Sequence, residues 1–452
     1  MNRKLTIYTL LFFLLASTPA LPQNATAIKT LYNTVSNTYE TEADSLTNCF
    51  IEKFMNKTKG IFNEKPGVWG QYIYWQQAHA IDVLIYAYER HKGDDTGLSS
   101  KYAMYIRRWY TSKGNNYSSG ATGFENPYTD DMCWICLTLM HMGDALGTTT
   151  YHTTAKRLFD NAIMARAVED GDDALWLPWN TDAGSGPNAC TLSPACLIAV
   201  KMYQKHGDAK YLEYAEKFYN YMVRNIVKPD GRVEEPPLTY TQGTFGEACR
   251  LLYHLTEKST QFKNKYKTNA FTYINYAFTS GRCTNGSNIL RHEGTSMDQS
   301  IFKAVLIPYA VNYVQDTEMS IANRKAIAQY IQKNAKTMWA TMDTSRYPTV
   351  FCNYDWTKPY TGEDKEASMG AMASGASLME NTARMCKKIV EDYDDYVDGI
   401  DVVEASSPES NGNTCGVFSL DGKLVRTPWQ TTDGLPAGIY VINGHKVLLN
   451  AR

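Results

Sequence analysis

The sequence carries almost no net charge: 45 Lys and Arg stand against 47 Asp and Glu, a balance of −2 over 452 residues. Bulk electrostatic attraction to nucleic acid or to an anionic membrane surface is therefore excluded as its working principle. Past the first residues no run of ~20 apolar residues occurs, so no transmembrane helix is expected. The ten Cys are scattered and form no dense framework. Cys133 and Cys136 are the close pair, but no second such pair and no His cluster adjoins them, and both read as small core hydrophobes. His79, His141, His206, His254 and His292 are likewise scattered, and HExxH, GxSxG, P-loop and dinucleotide fingerprints are missing. No metal or cofactor is expected. With 44% hydrophobic residues, disorder, collagen and coiled rods are excluded as well.

What is present in quantity is aromatic: 32 Tyr and 9 Trp. Flat amphipathic rings fill cores, and they are also the surfaces on which sugar rings stack. The N-terminus reads as an export signal: Asn2-Arg3-Lys4, the apolar run Leu5 to Ala16, then small residues and prolines. We take residues 1–25 as the leader and expect an exported monomer in the periplasm, on the cell surface or in the medium.

Apolar periodicity and breakers predict helices over 28–58, 71–91, 98–110, 130–146, 152–168, 193–206, 210–226, 241–257, 262–279, 299–315, 320–340 and 367–396. The even-numbered helices recur roughly every 53–68 residues, the period of a repeated helical hairpin. They are rich in small and apolar residues, as in Ala367 to Ala373, whereas odd ones such as Tyr211 to Lys217 are amphipathic and charged. That contrast predicts an all-α (α/α)6 barrel over 28–400, six inner helices ringed by six outer ones. An open superhelix of the same repeats is the alternative. Residues 401–414 read as a linker, and 415–452 as a small β tail of two hairpins turning at Asp421-Gly422 and Asn443-Gly444.

In a closed ring the inner helices open at one mouth, with their free N–H groups and positive dipole ends. The residues falling there are Trp75 with Gln77, Tyr128, Trp179 with Asp182, Tyr240 with Gln242, and Asp298. Aromatics beside amides and carboxylates suit a sugar cleft, and these with Trp134 are the candidate substrate-binding residues. Glycoside hydrolysis further needs two carboxylates. Of four Asp-Asp pairs, Asp94-Asp95, Asp172-Asp173 and Asp394-Asp395 read as solvated turns, loops or helix ends. Asp130-Asp131 opens a predicted inner helix, with Asn126-Pro127 as its cap and first residue. Adjacent helical side chains point ~100° apart, so two carboxylates there can flank one bond. The pair could equally serve only the helix dipole.

Asp130-Asp131-Met132 followed by Trp134 resembles the central motif of glycoside hydrolase family 76, the α-1,6-mannanases. Tyr74 to Ala80, Trp179-Asn180-Thr181-Asp182, Gly207 to Leu212, Thr239 to Gly243 and Phe302-Lys303 follow in the family's order. The resemblance spans roughly 40–395. It implies the (α/α)6 fold, α-mannan as the polysaccharide partner, and endo-acting retaining hydrolysis, with Asp130 as nucleophile and Asp131 as acid/base. Departures are Thr241 where the family has Asn, Ala304 where it has Gly, and Ile135 where it has a second Trp. Leu435 to Val441 resembles the C-terminal sorting domain of secreted Bacteroidota proteins. A non-catalytic glycan-binding protein and a mannan transglycosylase on the same ring are the competing functions.

Overall fold

The structure, a computed structural model, describes residues 25–69, 74–113, 119–392, 417–419, 424–426, 435, 438–442 and 445–449. The expected leader, all but its last residue, and the expected linker 401–414 lie outside the described residues. The chain divides into two compact units, residues 36–387 and a second made of 1–35 with 388–452.

Among the described residues twelve α-helices run in chain order: α1 Ala25–Phe54, α2 Trp75–Arg90, α3 Leu98–Thr111, α4 Thr129–Leu146, α5 Thr149–Leu158, α6 Ala189–His206, α7 Ala209–Tyr221, α8 Thr239–Leu255, α9 Thr260–Thr279, α10 Met297–Gln315, α11 Ile321–Ala340 and α12 Met369–Glu391. Within residues 36–387 the even helices pack on one another in sequence, α2 on α4, α6, α8 and α10, and each packs on the odd helix that follows it. The ring closes through α12. On one side Ser374 and Ser377 donate to the Ser300 and Ala304 carbonyls of α10, at 2.6 and 2.9 Å. On the other side Arg90 of α2 holds the Glu380 carboxylate at 2.8 Å. This is the closed (α/α)6 barrel, and the open superhelix is set aside.

The sequence explains the closure. Pro308 lies inside α10 and has no N–H to give the Ala304 carbonyl, a defect that breaks or kinks a helix unless the carbonyl finds another donor. The Ser377 hydroxyl supplies it from the neighbouring helix. Close approach of inner helices also requires small residues. A Cβ on Gly243 of α8 would fall 2.8 Å from Leu306 Cα of α10, so this face of α8 admits only glycine without displacing backbone. Between the two layers lie fully buried Trp109, Trp356, Tyr211, Tyr219, Phe50 and Phe54, each worth about 2 kcal/mol in removed apolar surface.

Two outer helices end differently from their periodicity. After α5 the chain continues as a π-turn over Phe159–Ile163 and a 3-10 turn over Met164–Arg166, and after α7 as a π-turn over Met222–Ile226. Such turns redirect the chain without breaking it. The first of them delivers Arg166 to the start of α4. In the second unit four short strands, β1 Val417–Ser419, β2 Leu424–Arg426, β3 Gly438–Ile442 and β4 His445–Leu449, form an antiparallel sheet in the order β2-β1-β3-β4. The two expected hairpin turns lie outside the described residues.

Candidate active site

The start of α4 is built by its neighbours rather than by a cap of its own. Tyr128 precedes the helix in extended conformation and makes no side-chain cap. Asn126, expected as the cap, instead closes a local turn by accepting the Tyr128 N–H at 2.7 Å, and Pro127 lies outside the helix. A short polar side chain that bonds its own backbone two residues on competes with capping in this way. Arg166 then clamps the segment, donating to the Asn126 and Pro127 carbonyls and the Thr129 hydroxyl at 2.9, 2.8 and 3.0 Å. From the other side Thr129 N–H donates to the Trp179 carbonyl at 2.7 Å, which lays the loop 177–186 across the helix start.

That loop forms one wall. Trp179 is 42% exposed, with its ring 5.3 Å from Tyr128. Asp182 is exposed and turned back on Asn180, whose amide donates to it at 3.0 Å. Across the ring a layer of aromatic rings fills the axis: Tyr240 on Phe302 at 4.4 Å, Phe302 on Trp75 at 5.8 Å, and Trp134 on Tyr240 at 5.7 Å. Inner helices α2, α4, α8 and α10 thus meet through aromatics below the mouth. His79 sits behind them, edge-on to Trp75 and Trp134.

Asp130 and Asp131 stand at the rim of this layer, partly exposed. Burial pushes the Asp130 carboxyl up to about 6, against the opposing pull of the Cys190 thiol, the Trp179 side chain and the first-turn N–H groups. Cys190 Sγ lies 3.4 Å from Asp130 Oδ2, while Oδ1 is buried with no hydrogen-bond partner. Asp131 has no such donors. Burial, then the adjacent Asp130, then Asp298, all drive its carboxyl well above the usual range. Two close carboxylates cannot both ionise cheaply, and the one without donors keeps the proton. Asp298 itself is exposed on α10 and accepts from the Gln76 amide.

Two of the expected sugar-binding residues are otherwise engaged. Gln77 is fully buried and spends its amide on the backbone of Phe62, accepting its N–H at 2.9 Å and donating to its carbonyl at 2.6 Å. Gln242 is also fully buried. Oriented so that donors meet acceptors, its amide reaches the Tyr273 and Gly231 carbonyls and accepts the Val233 N–H at 2.7 Å. Both amides hold loops onto inner helices instead of facing the mouth. Trp75, Tyr128, Trp134, Trp179 and Tyr240 are brought together around the carboxylate pair, although Trp134 and Tyr240 are nearly covered.

Other polar groups here were not among the candidate site residues, although Lys303 lies in a segment that carries the family resemblance. Cys190 is one. Glu293 is another: half-buried and pushed up to about 7 by desolvation, it accepts the Thr239 N–H at the start of α8. Lys303 is buried over the Trp356 ring at 3.9 Å and donates to the Tyr354 carbonyl at 2.7 Å, burial bringing its ammonium down to about 8. Among the described residues no three His, Cys, Asp or Glu gather as a metal site, and no helix is long and apolar enough to cross a membrane.

A carboxylate pair with raised proton affinity, set in an aromatic mouth of a closed α/α ring, has the makings of a glycoside hydrolase site. The chain belongs to glycosyl hydrolase family 76, whose profile matches residues 34–394. Among solved structures it resembles the α-1,6-mannanase of Salegentibacter sp., studied as an inactive variant with two adjacent Asp replaced and in complex with α-1,6-mannotriose. The two are 23% identical over 77% of this chain and 99% of that one, with a TM-score of 0.65. A family 76 mannosidase from Bacteroides thetaiotaomicron is 17% identical over 79% of this chain and all of that one, at 0.60. Dfg5 from Chaetomium thermophilum, in complex with glucosamine, is 13% identical over 78% and 90%, at 0.57. At these identities the likeness establishes the shared fold. No curated protein sequence matches the chain.

Proposed function

We propose that this chain is an exported endo-acting hydrolase of α-1,6-linked mannan that works with retention through Asp130 and Asp131. The observation that carries the reading is the unequal environment of the pair. Asp130 receives donors that favour its anion, and Asp131 receives none and is driven towards its acid form. Retaining hydrolysis asks for that division: one carboxylate attacks the anomeric carbon while the other protonates the leaving oxygen. Asp131 then takes a proton from water as water releases the glycosyl enzyme. Trp75, Tyr128 and Trp179 supply faces for sugar rings, with Asp182 and Asp298 within reach of hydroxyls at the rim. The substrate class comes from the family and from the mannanase structures it resembles. Export rests on the leader, and the β tail serves as its sorting element.

Reducing-end release from unbranched α-1,6-mannan by wild type, Asp130→Asn and Asp131→Asn, with products sized by chromatography, tests this. A ladder of oligosaccharides from wild type, abolished in both variants, supports the hydrolase. A folded wild type that binds mannan but releases nothing turns the protein into a glycan-binding one.

A further inference from the structure

Helix α6 opens beside the carboxylate pair. Asn188 caps it, its Oδ1 accepting the Thr191 N–H at 3.0 Å, and this fixes the next turn, which carries Cys190. The Cys190 sulfur lies 3.4 Å from Asp130 Oδ2 and 3.2 Å from Asn188 Oδ1. A thiol has one proton to give. The Asn188 oxygen is already occupied as a cap, and a carboxylate is the stronger acceptor, so the S–H goes to Asp130. Cys190 and Asp130 therefore form a hydrogen bond that links α6 to α4. It ends on one oxygen of the carboxylate and leaves the other, buried Oδ1, without a partner.

We propose that Cys190 is a positioning residue for Asp130, holding Oδ2 and so fixing the orientation of the carboxylate for attack on carbon. This rests on the hydrolase reading above. In the step it serves, a lone pair of the Asp130 carboxylate forms the bond to the anomeric carbon as the glycosidic C–O bond breaks. The bonding pair stays on the leaving oxygen, which takes the Asp131 proton. A thiol suits the task because it is a weak donor: it orients the carboxylate while drawing little charge from the attacking oxygen. The other titratable groups facing this point are Asp131 and Cys133 on α4, Tyr240 on α8, Glu234 before it, and Asp298 on α10 by way of Asp131. None of them donates to Oδ2 as Cys190 does.

Asp130 must be ionised to attack, so it sets the acid limb of kcat/KM against pH. Losing the donor in Cys190→Ala makes the anion harder to form. The acid limb should move up by about half a pH unit, a roughly threefold loss of activity on that limb and little change near neutrality. Cys190→Ser keeps a donor, and its limb should stay in place or move down. The same displacement should appear without substrate, in the carboxyl 13C titration of Asp130, identified by its absence from Asp130→Asn. A side chain that only packs would lower activity evenly across pH and leave both readouts still. A wild type silent on mannan sinks the hydrolase reading and the reactive role with it. An active wild type whose acid limb and Asp130 titration both ignore Cys190→Ala overturns the positioning role alone.

Discussion

At the mouth of the ring Asp130 and Asp131 meet no cation among the described residues, whereas carboxylates in the far half of the inner helices are each gripped by one. There Arg250 holds Glu247 through two bonds of 2.7 and 2.8 Å and reaches Asp316 at 2.6 Å, which His254 also meets. Arg90 joins Glu380 to Asp44, and His141 lies between Asp82 and Glu89. Burial would raise Asp44, Asp82, Glu89 and Asp316 too, but their His and Arg partners outweigh it. Asp82 falls to about 2 through His141 and His79, and Asp316 is held low by His254 and Arg250. Helix polarity supports the division, since cations are favoured where helices end and anions where they begin. The same side chain is thus a fastening at one end of the barrel and, by our reading, a reagent at the other. What separates the two is whether a partner was supplied on burial.

Removing the charge at each end should break the comparison in opposite directions. Asp131→Asn is expected to cut mannan turnover by about 10²–10⁴-fold, the usual worth of a positioned general acid. Its melting temperature should stay level or rise, because a half-buried carboxyl crowded by Asp130 is relieved. Glu380→Gln touches nothing at the mouth, yet it takes one carboxylate from a buried pair whose Glu380 side chain is wholly covered. It should cost about 3 kcal/mol, at the low end for such pairs because Asp44 still faces Arg90. Urea unfolding measures the second effect, and kcat/KM per folded molecule should hold. If Glu380→Gln impaired turnover at full folding, the two ends would not be separable.

The ring was legible because it rests on local periodicity. Small and apolar inner helices alternate with charged amphipathic ones, and α4, α6 and α12 start within a few residues of where caps and breakers put them. The side-chain amides were not legible. Gln77 and Gln242 sit beside aromatics in sequence exactly as mouth residues would be expected to, and only the folded chain brings Phe62 to one and Val233 to the other. Cys190 and Glu380 were hidden for the same reason, their partners lying 60 and 290 residues away. Gln242→Leu sharpens this correction. It orphans backbone groups of Gly231, Val233 and Tyr273 and should lower stability by about 1–3 kcal/mol, with mannan KM unchanged. A large rise in KM at full stability would return Gln242 to the mouth.

The smallest expected effect separates the two ends by pH alone. Asp130 goes from an ordinary 3.8 to about 6 on folding, so the folded chain holds this proton more tightly. Its contribution is fully present below pH ~4 and is lost as pH rises through 6. Asp82 moves the other way, from 3.8 to about 2; its contribution is present above pH ~4 and is lost as pH falls through 2. The mouth should therefore tilt stability downward between pH 4 and 6, and the far end should collapse it in stronger acid. Asp130→Asn should flatten the first slope and add about 1–2 kcal/mol at neutral pH, discounted for the open rim. Asp82→Asn should flatten the second slope and lower the neutral plateau. It should also free His141, raised to about 9 by Glu89 and Asp82 against its burial, to titrate nearer its ordinary range. Urea midpoints for the three proteins across pH 2–9 read both slopes, and variants that altered the same slope would show that the two ends share one electrostatic environment.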